Sequence, residues 1–191
     1  MRAYKIKTSL ATKVLTTSEV KNHLKVDTTV DDTLIDNLIS AAQNSCEEYT
    51  NRFFITKTLI QYGDVWNNIS ELFKSPAKTI TSIKYYNTDN VLQTLSSSIY
   101  LLDLAVMPSR IGLQPNESFP SIANRINAIE VTYDVGVDDP SLVDDAIKQA
   151  VLLTIGHWYA NRETVVVGRI ASEVPMAAKY LLDQYKIQVI R

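Results

Sequence analysis

The chain has 191 residues, 46% of them apolar and 21% charged, with a net charge of −2. This composition belongs to a globular protein and excludes wholesale disorder, and near-neutrality gives no general drive toward nucleic acid. The one cysteine, Cys46, excludes an internal disulfide and fits a reducing compartment; no apolar run reaches the roughly 18 residues of a membrane span, and the basic start lacks the apolar core of a signal peptide.

Residues 1–15 read as an N-terminal arm, in which Tyr4, Ile6 and Thr8 alternate with Lys5 and Lys7 at the period of a short strand or extended segment. Thr16 and Glu19 then form a capping box: the hydroxyl takes an orphan helix N–H while the carboxylate reaches back to the cap's own N–H. This predicts a short helix over 17–25 with Val20 and Leu24 on one face. After a polar connection, Leu34, Ile35, Leu38, Ile39, Ala42, Cys46 and Tyr49 fall on one helical stripe, with Asp31, Asp32 and Asp36 at the end where negative charge suits the helix dipole. This helix is expected to end near Asn51 and Arg52.

Charge is segregated here. Residues 1–26 carry six bases against Glu19, a balance of +5, and residues 27–50 carry six acids and no base, −6. Such blocks pair either within one subunit or between neighbouring copies.

Residues 53–137 change character. The stretches 58–65, 80–86, 98–103, 110–113 and 128–133 are short, rich in β-branched and aromatic residues, and separated by turn-like segments at 74–76, 87–90 and 107–109. They predict a small antiparallel sheet. Residues 114–127, with Pro115, Asn116, Pro120 and Asn124, read as a long loop of the kind that usually carries function.

Asp138-Asp139-Pro140-Ser141 restarts helix, with proline in the first turn. Val143, Ala146, Ile147, Ala150, Val151, Thr154, Ile155 and Trp158 make its buried stripe to about Arg162. A connector at 164–172 holds Gly168. Pro175 opens a last helix to about Tyr185, with Ala178, Leu181, Leu182 and Tyr185 inward, and 186–191 is a tail. The expected architecture is one α+β domain over 1–191: a mainly α-helical body of about four helices (16–52 and 138–185) with a small antiparallel β insertion (53–137) between the second and third.

The search for chemistry returns little. His23, His157 and Cys46 do not have the convergent spacing of a metal site. Each histidine reads as a polar tip hydrogen-bonded beside the core, and Cys46 as a small buried residue. No G-x-S-x-G, P-loop or G-x-G-x-x-G is present, and five glycines are few for a phosphate-cradling loop. Asp31-Asp32, Asp138-Asp139 and Asp144-Asp145 sit near helix starts, where capping explains them, and Glu47-Glu48 reads as solvated. No catalytic residue, cofactor or metal is predicted, and the chain reads as a structural part. The alternative is a helix-turn-helix-like DNA-binding regulator over 16–39. Its second helix would bring Asp31, Asp32, Asp36, Glu47 and Glu48 to phosphates with no base before Arg52, which argues against it.

An ordered set of segments resembles the head–tail connector, or adaptor, proteins of tailed bacteriophages, a family also found in phage-derived gene transfer agents. The set runs from Leu15-Thr16-Thr17-Ser18-Glu19-Val20-Lys21-Asn22-His23-Leu24-Lys25-Val26-Asp27 through Asp32-Thr33-Leu34-Ile35 and Tyr49-Thr50-Asn51-Arg52. It continues with Ala146-Ile147-Lys148-Gln149-Ala150, His157-Trp158-Tyr159-Ala160-Asn161-Arg162-Glu163, Val165-Val166-Val167-Gly168, Glu173-Val174-Pro175-Met176 and Leu181-Leu182-x-x-Tyr185. The resemblance spans 14–185. It implies a virion protein at the head–tail junction, made in the host bacterial cytoplasm, forming a ring of about twelve copies below the portal. Such a ring extends the channel through which DNA passes without specific binding, and it joins a stopper or tail-completion protein, with no membrane involved. The tail, Lys186, Ile187, Gln188, Val189, Ile190 and Arg191, is the candidate portal-docking element. Pro115, Asn116, Glu117 and Phe119 in the long loop are the candidate stopper or tail contact.

Overall fold

A computed structural model describes residues 3–74, 76–161, 165–166, 169–170 and 174–187. The chain divides into two compact units. One comprises 1–10, 56–136 and 187–191; the other comprises 11–55 and 137–186.

The second unit is helical. Helix α1 (Thr17–Leu24) starts at the expected capping box: Thr16 Oγ1 accepts from Glu19 N at 3.3 Å, and Thr16 N donates to Glu19 Oε2 at 2.7 Å. It ends at Lys25 in the left-handed conformation. Helix α2 (Asp32–Thr50) ends the same way at Asn51, whose short polar side chain tolerates that backbone. The restart at 138–141 is a 3-10 turn (Pro140–Leu142) in which Asp139 accepts from Ser141 N at 2.8 Å, and helix α3 itself begins three residues later (Asp145–Ala160). Helix α4 covers Met176–Asp183. Ile35, Ile39, Ala42 and Cys46 of α2 share one core cluster with Ile147, Ala150, Val151 and Ile155 of α3, Ala178 and Leu182 of α4, and Val20 of α1. Leu38 is only half-buried beside this cluster.

Glu47 corrects the expectation of a solvated acid pair. It is 1% exposed and accepts from Gln43 Nε2 at 3.0 Å and Phe54 N at 2.9 Å, while Gln43 Oε1 accepts from Val14 N at 3.0 Å. A buried carboxylate is retained when it satisfies donors that would otherwise be orphaned, and here it fixes the backbone on both flanks of α2. Glu48 is exposed.

The first unit is a sheet. Strands β1 (Ala3–Ser9), β2 (Lys57–Gly63), β3 (Ala77–Tyr86), β4 (Leu92–Thr94) and β7 (Ile129–Val135) form one antiparallel five-stranded sheet in the order β1-β2-β7-β3-β4. Strands β5 (Tyr100–Asp103) and β6 (Arg110–Leu113) make a separate hairpin. Strands β8 (Val165–Val166) and β9 (Arg169–Ile170) pair within the connector. Burial alternates strictly along β2, as a sheet with one core face requires. Leu59 and Gln61 of β2 face the core with Val131 and Tyr133 of β7, their register partners. Gln61 organises the neighbouring loop: its Oε1 accepts from Phe73 N at 3.1 Å and its Nε2 donates to Glu71 O at 2.9 Å. Buried Tyr133 donates to Phe73 O at 2.8 Å.

The expected mainly helical body with a small β insertion is therefore not the architecture. The sheet is a unit in its own right, with its own buried core of Leu59, Ile69, Leu72, Ile83, Ile129, Val131 and Tyr133. Its first strand comes from the N-terminal arm, outside 53–137 altogether. Hydrogen bonding to β2 recruits that arm over six register pairs, and the pairing is with a segment some fifty residues away in sequence, Tyr4 lying opposite Gln61.

Candidate functional site

The long loop 114–127 is tied to the sheet at several points. Its start is a tight turn at Pro115-Asn116, where Asn116 takes a positive φ of 68° and Glu117 N donates to Gln114 O at 3.1 Å. Pro115, Asn116 and Glu117 are exposed there. Phe119 is not: it stacks on Trp66 with ring centroids 4.4 Å apart and planes 7° from parallel. Trp66 Nε1 donates to Pro120 O at 2.8 Å, and the indole also lies 5.6 Å from the Tyr85 ring. Farther along, Ala123 N donates to Tyr86 O, the Arg125 guanidinium sits 3.8 Å from the Tyr86 ring centroid, and Asn127 N donates to Asp64 Oδ1 at 2.7 Å. Of the four loop candidates, the structure brings the first three together at an exposed tip and turns the fourth into an anchor.

Trp66 was missed by sequence reasoning. It lies in a short 3-10 turn (Trp66–Ile69) whose apolar residues show no period, so the one available signal is a tryptophan in a short segment without helical or strand spacing.

The tail begins fixed. Lys186 Nζ lies 4.4 Å from the Tyr49 ring centroid, and Tyr49 donates to Asp183 at 2.6 Å. Ile187 is 6% exposed and belongs to the sheet unit. Gln188, Val189, Ile190 and Arg191 lie outside the described residues, as do Arg162, Glu163, Val167 and Gly168.

The opposite-charge blocks meet in part within the helical unit. Lys13 pairs with Asp36 and Lys21 with Asp32, each at 2.6 Å, and Tyr159 donates to Asp31 at 2.6 Å. These contacts absorb two of the six bases and three of the six acids. A groove of about 550 Å³ lies alongside, carrying Lys13, Lys148, Glu19, Asp36 and Asp139. Its charges are mixed in sign, and Lys13 is already committed to Asp36.

Among the described residues no group of three or more metal-ligating side chains converges. Cys46 is buried, and that burial pushes its thiol up to about 11, so it is not a thiolate at neutral pH. Its Sγ lies 3.9 Å from Thr154 Oγ1. Both histidines are exposed rather than seated beside the core. Helix α2 buries Ile35, Ile39, Ala42, Gln43, Cys46, Glu47 and Thr50, and its exposed residues include no base. Such a helix has nothing with which to neutralise phosphate. No helix among the described residues is long and apolar enough to cross a membrane.

The profile of a family described as head completion protein matches residues 13–187. Solved structures share the fold. A chain of the virion of a native gene transfer agent particle superposes with a TM-score of 0.76 at 18% identity, over 98% of this chain and 97% of that one. A chain from the neck of the empty particle, computed with C6 symmetry, gives 0.74 at 19% identity, over 99% and 97%. A chain from the neck of the native particle, computed with C12 symmetry, gives 0.74 at 18% over the same shares. No curated protein matches.

Proposed function

The chain belongs to the head completion protein family, and from that premise we propose that it is a structural virion protein forming a ring in the neck of a phage-type particle, joining the DNA-filled head to the tail or stopper. The family match over 13–187 carries this reading, since it takes in nearly the whole of both units. The virion and neck chains that share its fold over almost their full length support it. The ring extends the portal channel, and genome DNA passes through it without specific binding. A closed ring requires two different, complementary faces on each subunit. The charge pairs inside the helical unit leave fewer acids and bases for that contact than the sequence blocks offer. The protein is made in the host bacterial cytoplasm and acts in the virion.

The portal is the proposed partner of the tail. Because Lys186 and Ile187 are already anchored, the docking segment proper is 188–191. The exposed tip Pro115–Glu117 is the proposed stopper contact, with Phe119 holding it in place.

The direct test is electron microscopy of the protein mixed with its purified cognate portal. A ring stacked coaxially on the portal is the expected result. A protein that stays monomeric, leaves the portal bare and shifts duplex DNA on a gel would overturn the reading in favour of the regulator. Removal of 188–191 should weaken attachment to portal-bearing heads with the melting temperature unchanged; undiminished attachment would move the docking surface elsewhere.

A further inference from the structure

The edge of the sheet unit offers a binding surface that the ring reading does not use. Strand β1 ends the strand order and pairs, among the described strands, with β2 alone. Every residue from Tyr4 to Leu10 is exposed. The edge is apolar on one side and basic on the other. Tyr4 and Ile6 are 37% and 44% exposed and lie opposite Gln61 and Leu59, on the core face of the sheet. Lys5 lies opposite Ile60 on the other face, and Lys7 sits at the register shift between Ile6 and Thr8. Neither lysine meets a carboxylate among the described residues. An exposed edge strand presents a row of unused backbone donors and acceptors, and lysines along it reject like-charged strands.

We infer that β1 accepts an extended strand from another protein, one that alternates acidic and apolar side chains. Its acids would meet Lys5 and Lys7 while its apolar residues cover Tyr4 and Ile6; the backbone supplies affinity and the side-chain alternation selects the partner. The chain's own segments fit poorly. A second β1 would set lysine against lysine. The opposite edge, β4, has three residues, Leu92, Gln93 and Thr94, and no acid. The segment 186–191 carries Lys186 and Arg191 and no acidic side chain. Charge complementarity therefore assigns the occupant to a different protein.

The test uses the full chain without an N-terminal tag and two synthetic heptapeptides, one alternating glutamate with valine and one alternating lysine with valine. Titration calorimetry should show binding of the glutamate peptide alone, and hydrogen exchange of the β1 amides should slow on its addition. Lys5→Glu together with Lys7→Glu, with an unchanged melting temperature, should lower that affinity by about tenfold and transfer the preference to the lysine peptide. Equal binding of both peptides, binding of neither, or indifference to the double substitution would overturn the assignment. A change in oligomer size on the double substitution, seen by sedimentation, would overturn it in favour of a second copy as occupant.

Discussion

Trp66→Ala should release the middle of the long loop without unfolding the protein. The indole is half-buried, so removing it exposes on the order of 100 Å² of apolar surface, worth about 2.5 kcal/mol. Loss of the Phe119 stack removes about 1 kcal/mol more, and loss of the hydrogen bond to Pro120 O about another 1 kcal/mol. The sum of about 4.5 kcal/mol is an upper bound, because the loop recovers hydration when it opens. It falls on a local opening, since Ala123, Arg125 and Asn127 keep their own ties to Tyr86 and Asp64. Hydrogen exchange is the assay: amides at 118, 119, 121 and 122 should exchange at least about a hundredfold faster, with β2 and β7 amides unchanged. Trp66→Phe keeps a ring against Phe119 and loses the N–H donor, so its acceleration should be about fivefold. Unchanged exchange at those four amides in Trp66→Ala would refute the idea that the indole clamps the loop.

Three further outcomes are expected. Glu47→Ala orphans Phe54 N–H and the Gln43 amide and should cost about 3 kcal/mol in urea denaturation; a loss under about 1 kcal/mol would show that neither donor depends on it. Glu19 is held below its ordinary 4.5 by the N–H and hydroxyl of Thr16, so its capping contribution is complete above that pH and fades as acid protonates the folded form. The melting-temperature gap between wild type and Glu19→Ala should narrow below pH 4.5, and a gap constant down to pH 3 would contradict the assignment. Cys46, buried with its thiol raised to about 11, should resist a thiol reagent at pH 8 until denaturant is added; labelling at the rate of a free thiol would refute its burial.

The helices were legible because their signals are local. Thr16 and Glu19 are three residues apart, and the α2 stripe declares its period within one segment. The sheet was legible only in pieces. Strands near 58–65, 80–86, 110–113 and 128–133 announce themselves by composition, but the order β1-β2-β7-β3-β4 depends on pairings between distant segments. The arm shows how this misleads. Tyr4, Ile6, Lys5 and Lys7 have a strand's alternation, yet membership in the sheet is decided by Ile60 and Leu59, not by anything within the arm. Glu47 escaped for a related reason: its burial is set by Phe54 and Gln43 as hydrogen-bond donors, and a carboxylate beside another carboxylate looks solvated until those donors are placed. Of the candidate contacts, the loop tip follows from its turn residues, whereas the indole that steadies Phe119 lies more than fifty positions away, in a stretch without period.

The way the backbone is shared between the two units bears on how the protein must be made. The sheet unit draws on 1–10, 56–136 and 187–191, and the helical unit on 11–55 and 137–186, so each is interrupted by the other. Strand β2 follows β1 after some fifty residues, but the central strand β7 that β2 also needs arrives only at 129–135. Helix α2 waits still longer, for α3 and α4, before its apolar stripe is covered. Contacts of such sequence separation close slowly, and the exposed stripe is a risk for aggregation in the interval. Fragments cut at either boundary should therefore be insoluble alone, and co-expression of complementary pieces offers a better route to either unit than truncation.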